Sequence, residues 1–88
     1  MGMLAKASDR FTERTGGDEI VIMHLDTGEF LSLTGTAASA WRLIDGRRDR
    51  EAIISALATA YGAEERRVAA DVDDFLMALK RSGLLADE

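Results

Sequence analysis

The sequence predicts an α+β fold in which two or three antiparallel strands come first and three helices follow. Leu31 and Leu33 alternate with Phe30 and Ser32 as in a half-buried strand, and from Thr34 onward the apolar residues recur at helical spacing. The change falls within one continuous stretch, residues 30–46, so a strand leads directly into a helix. This direct junction leaves no loop for a catalytic centre and favours a docking surface over an active site.

The strands are expected in the first third of the chain, after a loose N-terminal tail over residues 1–8. A weak strand is predicted at Asp9–Thr15, where Phe11 is the only large apolar residue. Glu19–Leu25 is the strongest strand and is apolar on both faces, which indicates a central position in the sheet. The turn at residues 26–28 then reverses the chain into a hairpin, because its glycine suits a positive φ.

The returning strand is predicted at Glu29–Leu33. Side chains alternate between the two faces of a strand. We therefore expect Leu31 and Leu33 to face the helices and Phe30 and Ser32 to point the other way.

Three helices account for the rest of the chain. The first is predicted at Thr36–Asp45 and carries Trp41, which should pack against the sheet and the third helix. The second begins after an N-cap at Asp49, and the third spans Glu64–Arg81. Each helix is followed by a glycine suited to a left-handed C-cap. These glycines are Gly46, Gly62 and Gly83.

Composition limits the possible functions. The 88 residues are expected to form one domain, and the absence of cysteine excludes disulfides and thiolate metal sites. The net charge of −5 disfavours nucleic acid and favours a partner that carries positive charge. No signal peptide is visible, and no apolar run approaches the roughly 20 residues that span a bilayer. We therefore expect a cytoplasmic protein that does not bind a membrane.

The sequence shows no pattern typical of catalysis. His24 is the only histidine and lies among apolar neighbours, so a structural or surface role is expected. The glycines lack the spacing and the lysine of a phosphate-binding loop. No base and orienting partner accompany the serines that we considered as nucleophiles. These are Ser32, Ser39, Ser55 and Ser82. We expect no catalytic residue, metal or cofactor.

Strands combined with three helices also fit a winged-helix protein, so DNA binding is an alternative, as is another protein-interaction role. A recognition helix needs basic residues, whereas the third helix carries Asp71, Asp73 and Asp74. Asp71 and Asp74 share one flank, and Asp73 points away from both. The basic cluster at residues 47–50 is short and lies at a helix start, where it serves solubility.

An edge strand beside the third helix is the best candidate site. If Glu29–Leu33 lies at the sheet edge, an extended peptide can add to it as a further strand. On the third helix, Asp71, Asp74 and Ala78 flank Phe75, and the small residues leave a trough. The alternatives are that another copy of the chain, or nothing, occupies this edge.

In their order and spacing, these features resemble the PqqD-like family, whose members are also called RiPP recognition elements, RiPP meaning a ribosomally made and modified peptide. The resemblance covers about Asp18 to Leu85. Thr34 stands where the family usually has Asn, and Ala37 where it often has Gly. The matching motifs are Thr27-Gly28, Leu33-Thr34, Trp41, Leu43-Ile44-Asp45-Gly46, Asp71-Val72, Phe75-Leu76 and Gly83-Leu84-Leu85.

The resemblance implies a winged-helix-like domain with a three-stranded antiparallel sheet packed on three helices. It implies a non-catalytic role in which the domain binds the leader of a precursor peptide and presents it to a modifying enzyme. That enzyme would be a radical-SAM enzyme or a leader peptidase. The run of Leu-Ala-Pro-Glu type that marks the quinone-pathway members is absent. The resemblance therefore favours another modified peptide, such as a lasso peptide.

Carried onto this chain, the resemblance places the leader beside the third strand and against the third helix. The expected peptide-binding residues are Glu29, Phe30, Leu31, Ser32, Leu33, Asp71, Asp74, Phe75 and Ala78. We expect the protein to be a monomer or a weak homodimer.

Overall fold

The computed structural model describes residues 3–86 and contains three strands followed by three helices. The predicted α+β fold is confirmed, and the weak first strand is part of the sheet. None of the helices in this range is long and apolar enough to cross a membrane. The elements are β1 (Phe11–Gly16), β2 (Glu19–His24), β3 (Phe30–Leu33), α1 (Gly35–Leu43), α2 (Arg50–Tyr61) and α3 (Glu65–Ser82).

The sheet has the order β1-β2-β3, with both pairs antiparallel, so the predicted central position of β2 is confirmed. The inner face of β2 carries Ile20 and Ile22, each with only 1% of its surface exposed. Opposite them on β3 lie Leu33 and Leu31, respectively. Partners across an antiparallel pair share a face, so both leucines are on the helix side of the sheet, as predicted.

Trp41 of α1 is the centre of the core and is completely buried. Its ring meets Phe11 of β1 edge to face, with the centroids 5.2 Å apart. The indole Nε1–H donates a hydrogen bond of 2.8 Å to a carboxylate oxygen of Glu13, and the Lys6 ammonium lies 4.5 Å from the ring centroid. The predicted contact of Trp41 with the sheet is therefore confirmed, and its one polar atom is satisfied.

The C-terminal end of α1 differs from the prediction. The helix ends at Leu43 rather than Asp45, with Ile44 as its C-cap. Gly46 has a positive φ of 82°, but it lies beyond the cap, and its N–H donates to the Leu4 carbonyl. The glycine thus serves a turn that meets the N-terminal segment, whereas Gly62 and Gly83 are the left-handed caps that the sequence predicts.

The N-terminal segment is not a loose tail over the residues that the structure describes. The Leu4 N–H donates to the Arg48 carbonyl at 2.8 Å, and the Ala7 N–H donates to the Leu84 carbonyl at 2.9 Å. Residues 4–7 therefore join the turn after α1 to the C-terminal end of the chain. A short segment with one large apolar residue has no periodicity that predicts such pairing. Met1 and Gly2 lie outside the described residues.

One bidentate ion pair joins α2 to α3. The Arg50 guanidinium donates to both carboxylate oxygens of Asp73, at 2.5 and 2.9 Å. Hydrogen bonding and charge from Arg50 lower the pKa of the Asp73 carboxyl. Asp73 therefore faces α2, in agreement with the prediction that it points away from Asp71 and Asp74.

We predict that Trp41→Ala lowers the free energy of unfolding by about 3–5 kcal/mol, because it removes the largest buried side chain and leaves a cavity. Chemical denaturation measures the loss. Phe30→Ala is the matched control, since Phe30 is 72% exposed and its truncation should cost little. A loss below about 1 kcal/mol for Trp41→Ala would contradict this account of the core.

A second prediction concerns acid stability. Because the pKa of Asp73 is lowered in the folded state, the ion pair stabilises the fold above the ordinary carboxyl pKa of about 3.9. This contribution disappears as the pH falls through the lowered value. Asp73→Asn should therefore flatten the loss of stability between pH 5 and 3 in denaturation experiments, relative to the control Asp71→Asn. Parallel pH profiles for the two variants would show that the pair does not stabilise the fold.

Candidate functional site

Strand β3 is an edge strand whose outer backbone groups have no partner strand among residues 3–86. The His24 N–H donates to the Glu29 carbonyl at 2.8 Å. Bonding in an antiparallel pair alternates residue by residue, so Leu31 and Leu33 also bond to β2. The N–H and C=O groups of Phe30 and Ser32 consequently point away from the sheet. They offer two donors and two acceptors to a further strand.

A groove of about 360 Å³ lies between the beginning of β3 and the C-terminal end of α3. We call it the β3 groove. Of the neighbouring elements, α3 packs mainly on α2 and α1. Its lining residues are Ile22, His24, Thr27, Glu29, Phe30, Leu31, Arg81, Ser82 and Leu84.

The floor of the β3 groove is apolar and the rim is polar. Ile22 and Leu84 are almost fully buried, with 1% and 2% of their surfaces exposed. Leu31 faces the helix side but stays 37% exposed, because its side chain borders the groove. The prediction that Leu31 and Leu33 both face the helices is therefore confirmed in direction, but only Leu33 enters the core. Leu31 is free to contact an apolar side chain of a ligand.

His24 braces one end of the β3 groove. Its Nδ1 accepts a hydrogen bond from the Asp26 N–H at 3.2 Å, so the ring proton is on Nε2 and is donated to the Ser82 carbonyl at 2.6 Å. The ring thus joins the β2–β3 turn to the last residue of α3. Of the structural or surface role that the sequence predicts for His24, these contacts make the role structural, since the ring holds the two walls of the groove together.

Two of the predicted binding residues on β3 do not line the β3 groove. Ser32 lies on the outer face of the sheet, where its hydroxyl donates to a Glu19 carboxylate oxygen. Leu33 is 4% exposed and belongs to the core. Ser32 would contribute to binding an added strand through its backbone groups. Leu33 would contribute only by anchoring β3 to the core.

The four predicted residues of α3 lie closer to the N-terminus of the helix than Ser82 and do not line the β3 groove. Ala78 and Phe75 come four and seven residues before Ser82, so they lie on the same side of α3 as Ser82. Phe75 is half-buried against the core, whereas Asp71, Asp74 and Ala78 are exposed.

Sequence reasoning missed several residues of the β3 groove. Arg81 lies in the last turn of α3, where the helix dipole favours a basic side chain. Its presence in the sequence therefore does not indicate a binding site. Leu84 follows the Gly83 cap and is buried at the floor of the groove. The spacing of four from Ala78 to Ser82 is the one signal in the sequence that points to this end of the helix.

Phe30 separates the β3 groove from a second hollow on the outer face of the sheet. It has the largest exposed fraction, 72%, of the large apolar residues in the described range. The outer hollow holds about 380 Å³ and includes Val21 and Met23. A strand added to β3 would cover the Phe30 ring, and each buried apolar Å² contributes about 25 cal/mol to such binding.

A larger hollow of about 490 Å³ lies near β1, at the opposite edge of the sheet. Burial lowers the pKa of the Lys6 ammonium there, and the negative charges of Glu13 and Asp45 oppose this effect. The Lys6 ammonium is held over the Trp41 ring, and the Glu13 carboxylate is held by the indole N–H. The charged groups of this hollow therefore stabilise the fold.

An open edge strand beside a groove bounded by a helix is the arrangement of a domain that docks another chain. Residues 3–86 contain no group of three or more His, Cys, Asp or Glu placed to hold a metal. The family model described as "Coenzyme PQQ synthesis protein D (PqqD)" matches residues 19–85. The chain belongs to this family, as its motifs indicate.

A solved structure supports the same assignment. The chain is similar to the structure described as "TbiB1 in Complex with the TbiA(beta) Leader Peptide", with 30% sequence identity and a TM-score of 0.82. The similarity covers 91% of this chain and 93% of that one. No curated protein matches the sequence. The chain is therefore a PqqD-like RiPP recognition element with the predicted three-stranded sheet and three helices.

We predict that His24→Ala loosens the end of the β3 groove. The change leaves the Asp26 N–H and the Ser82 carbonyl without their partner, and a lost hydrogen bond typically costs about 0.5–1.5 kcal/mol. The Asp26 amide should exchange with deuterium faster, while the Ile22 amide in the β2–β3 ladder should exchange at a rate set by global stability alone. Equal acceleration at both amides would show that His24 has no local bracing role.

Proposed function

We propose that this protein captures the leader segment of a precursor peptide by strand addition to β3 and presents it to a modifying enzyme. The observation that carries this proposal is the open backbone of Phe30 and Ser32 next to the β3 groove. Main-chain hydrogen bonds would set the register of the leader, and the apolar floor of the groove would select its side chains. The TbiB1 complex supports the proposal, since that protein is described with a leader peptide bound.

The proposed role is non-catalytic, as is general for recognition elements of this family. The modifying enzyme would be a leader peptidase or a radical-SAM enzyme, and the product another modified peptide, such as a lasso peptide, rather than the quinone. We further propose that the protein acts in the cytoplasm as a single domain, as a monomer or weak homodimer. A groove of this size is consistent with micromolar affinity or somewhat better.

The DNA-binding alternative is not favoured. Two of the three arginines in the basic cluster at residues 47–50 are engaged by carboxylates, since Arg48 pairs with Asp45 at 2.5 Å and Arg50 pairs with Asp73. These two arginines are neutralised by partners in the fold, so of the cluster only Arg47 remains for phosphates.

We predict that Ser32→Pro weakens leader binding about tenfold or more while the protein stays folded. Proline removes an N–H that points to the open edge, and its ring obstructs an incoming strand, but the β2–β3 ladder keeps its bonds. Titration calorimetry with the leader encoded by the precursor gene beside this chain's gene measures the effect. Circular dichroism verifies the fold.

Thr15→Pro is the matched control. The Leu25 N–H donates to the Arg10 carbonyl, so by the same alternation the Thr15 N–H points to the open edge of β1. This variant should bind the leader as the unmodified protein does. Equal binding by Ser32→Pro, or loss of binding only with Thr15→Pro, would place the leader elsewhere.

A further inference from the structure

Among residues 3–86, the charged side chains on the groove side of α3 have no ion-pair partner. Arg81 lines the β3 groove, and its guanidinium donates a 3.7 Å hydrogen bond to the Met77 sulfur. Within the described range, Arg81, Asp71 and Asp74 form no ion pair, whereas Asp73, on the other side of the helix, is held by Arg50. Free charge of opposite sign thus lies at the two ends of one helix side.

The separation of these charges matches a short extended peptide. Ten residues of helix from Asp71 to Arg81 correspond to about 15 Å. A strand advances about 3.4 Å per residue, so a peptide covers this distance in roughly four residues. Side chains an even number of positions apart share a face, so both ends of such a segment can turn toward α3.

The position of Arg81 gives the peptide a direction. Arg81 lies beside Phe30 and Leu31, at the beginning of β3, so a peptide that follows β3 toward Leu33 moves away from Arg81. Antiparallel addition is the more stable pairing per residue. The C-terminal part of an antiparallel peptide would then lie near Arg81. The last residue of α2 hydrogen-bonds to Ser39 of α1, the helix that follows β3, so α3 starts on the side where β3 ends. The N-terminal part of the peptide would therefore lie on the side of the aspartates.

We propose that the β3 groove selects an extended peptide with a fixed order of charge. An acidic residue lies at Arg81, an apolar residue contacts Leu31 and Leu84, and a basic residue lies toward Asp71 and Asp74, about four positions N-terminal to the acidic one. This proposal rests on the proposed function and names the chemistry of the peptide that the site takes. The net charge of −5 alone predicts only a basic partner and no acidic position.

Selection from a displayed library of random 12-residue peptides on the full chain tests this proposal. Peptides enriched on the unmodified protein should carry a basic residue, then an apolar one, then an acidic one, in that order. Selection on Arg81→Glu should remove the acidic preference and leave the apolar one. Lys80→Glu is the matched control, because it makes the same charge change at the adjacent residue, which does not line the groove.

Fluorescence anisotropy with the most enriched peptide gives the size of the effect. Arg81→Glu should weaken binding about two- to fivefold at low salt, as expected for an exposed ion pair, and less at high salt. Replacing the acidic residue of the peptide by lysine should restore binding to Arg81→Glu and weaken binding to Lys80→Glu, which keeps Arg81. Arg81→Gln provides a second variant that removes the charge without reversing it.

The outcomes separate this proposal from the function beneath it. Peptides whose binding is lost with Ser32→Pro but which show no charge order, or the reverse order, would overturn the charge proposal alone. No enrichment at all, or enriched peptides that bind Ser32→Pro equally well, would overturn strand addition at β3 and the charge proposal with it.

Discussion

The backbone pairing of β2 is the constraint on which the rest of this structure depends. Successive residues of β2 bond alternately to β3 and β1, as the hydrogen bonds of His24 and Leu25 show. The same alternation turns Ile20 and Ile22 toward the helices, where the core forms around Trp41. It also turns the Phe30 and Ser32 backbone outward, so one register determines both the core and the open edge.

Most of the fold could be predicted because its signals are local. Period-two and helical spacing identify the six elements, Asp49 caps α2 by accepting from the Ala52 N–H, and Gly62 and Gly83 take the left-handed conformation at the helix ends. The burial of Trp41 follows from its place on the apolar stripe of α1. Each of these features depends on a few neighbouring residues, which the sequence displays directly.

The rest could not be predicted because it depends on contacts between distant segments. The chain near Leu4 and Ala7 pairs with backbone far along the sequence, and nothing in its composition indicates this. Leu31 has the alternation of a core residue, yet it stays partly exposed because it lines the groove between β3 and α3. Arg81 also lines this groove, since the placement of α3 brings its last turn beside β3.

Hydrogen exchange of the β3 amides, with and without a bound leader peptide, tests the central claim most directly. The account predicts strong slowing at Phe30 and Ser32, whose N–H groups gain partners, and little change at Leu31 and Leu33, whose N–H groups already bond to β2. Uniform slowing of all four amides, or slowing confined to β1, would contradict strand addition at the edge of β3.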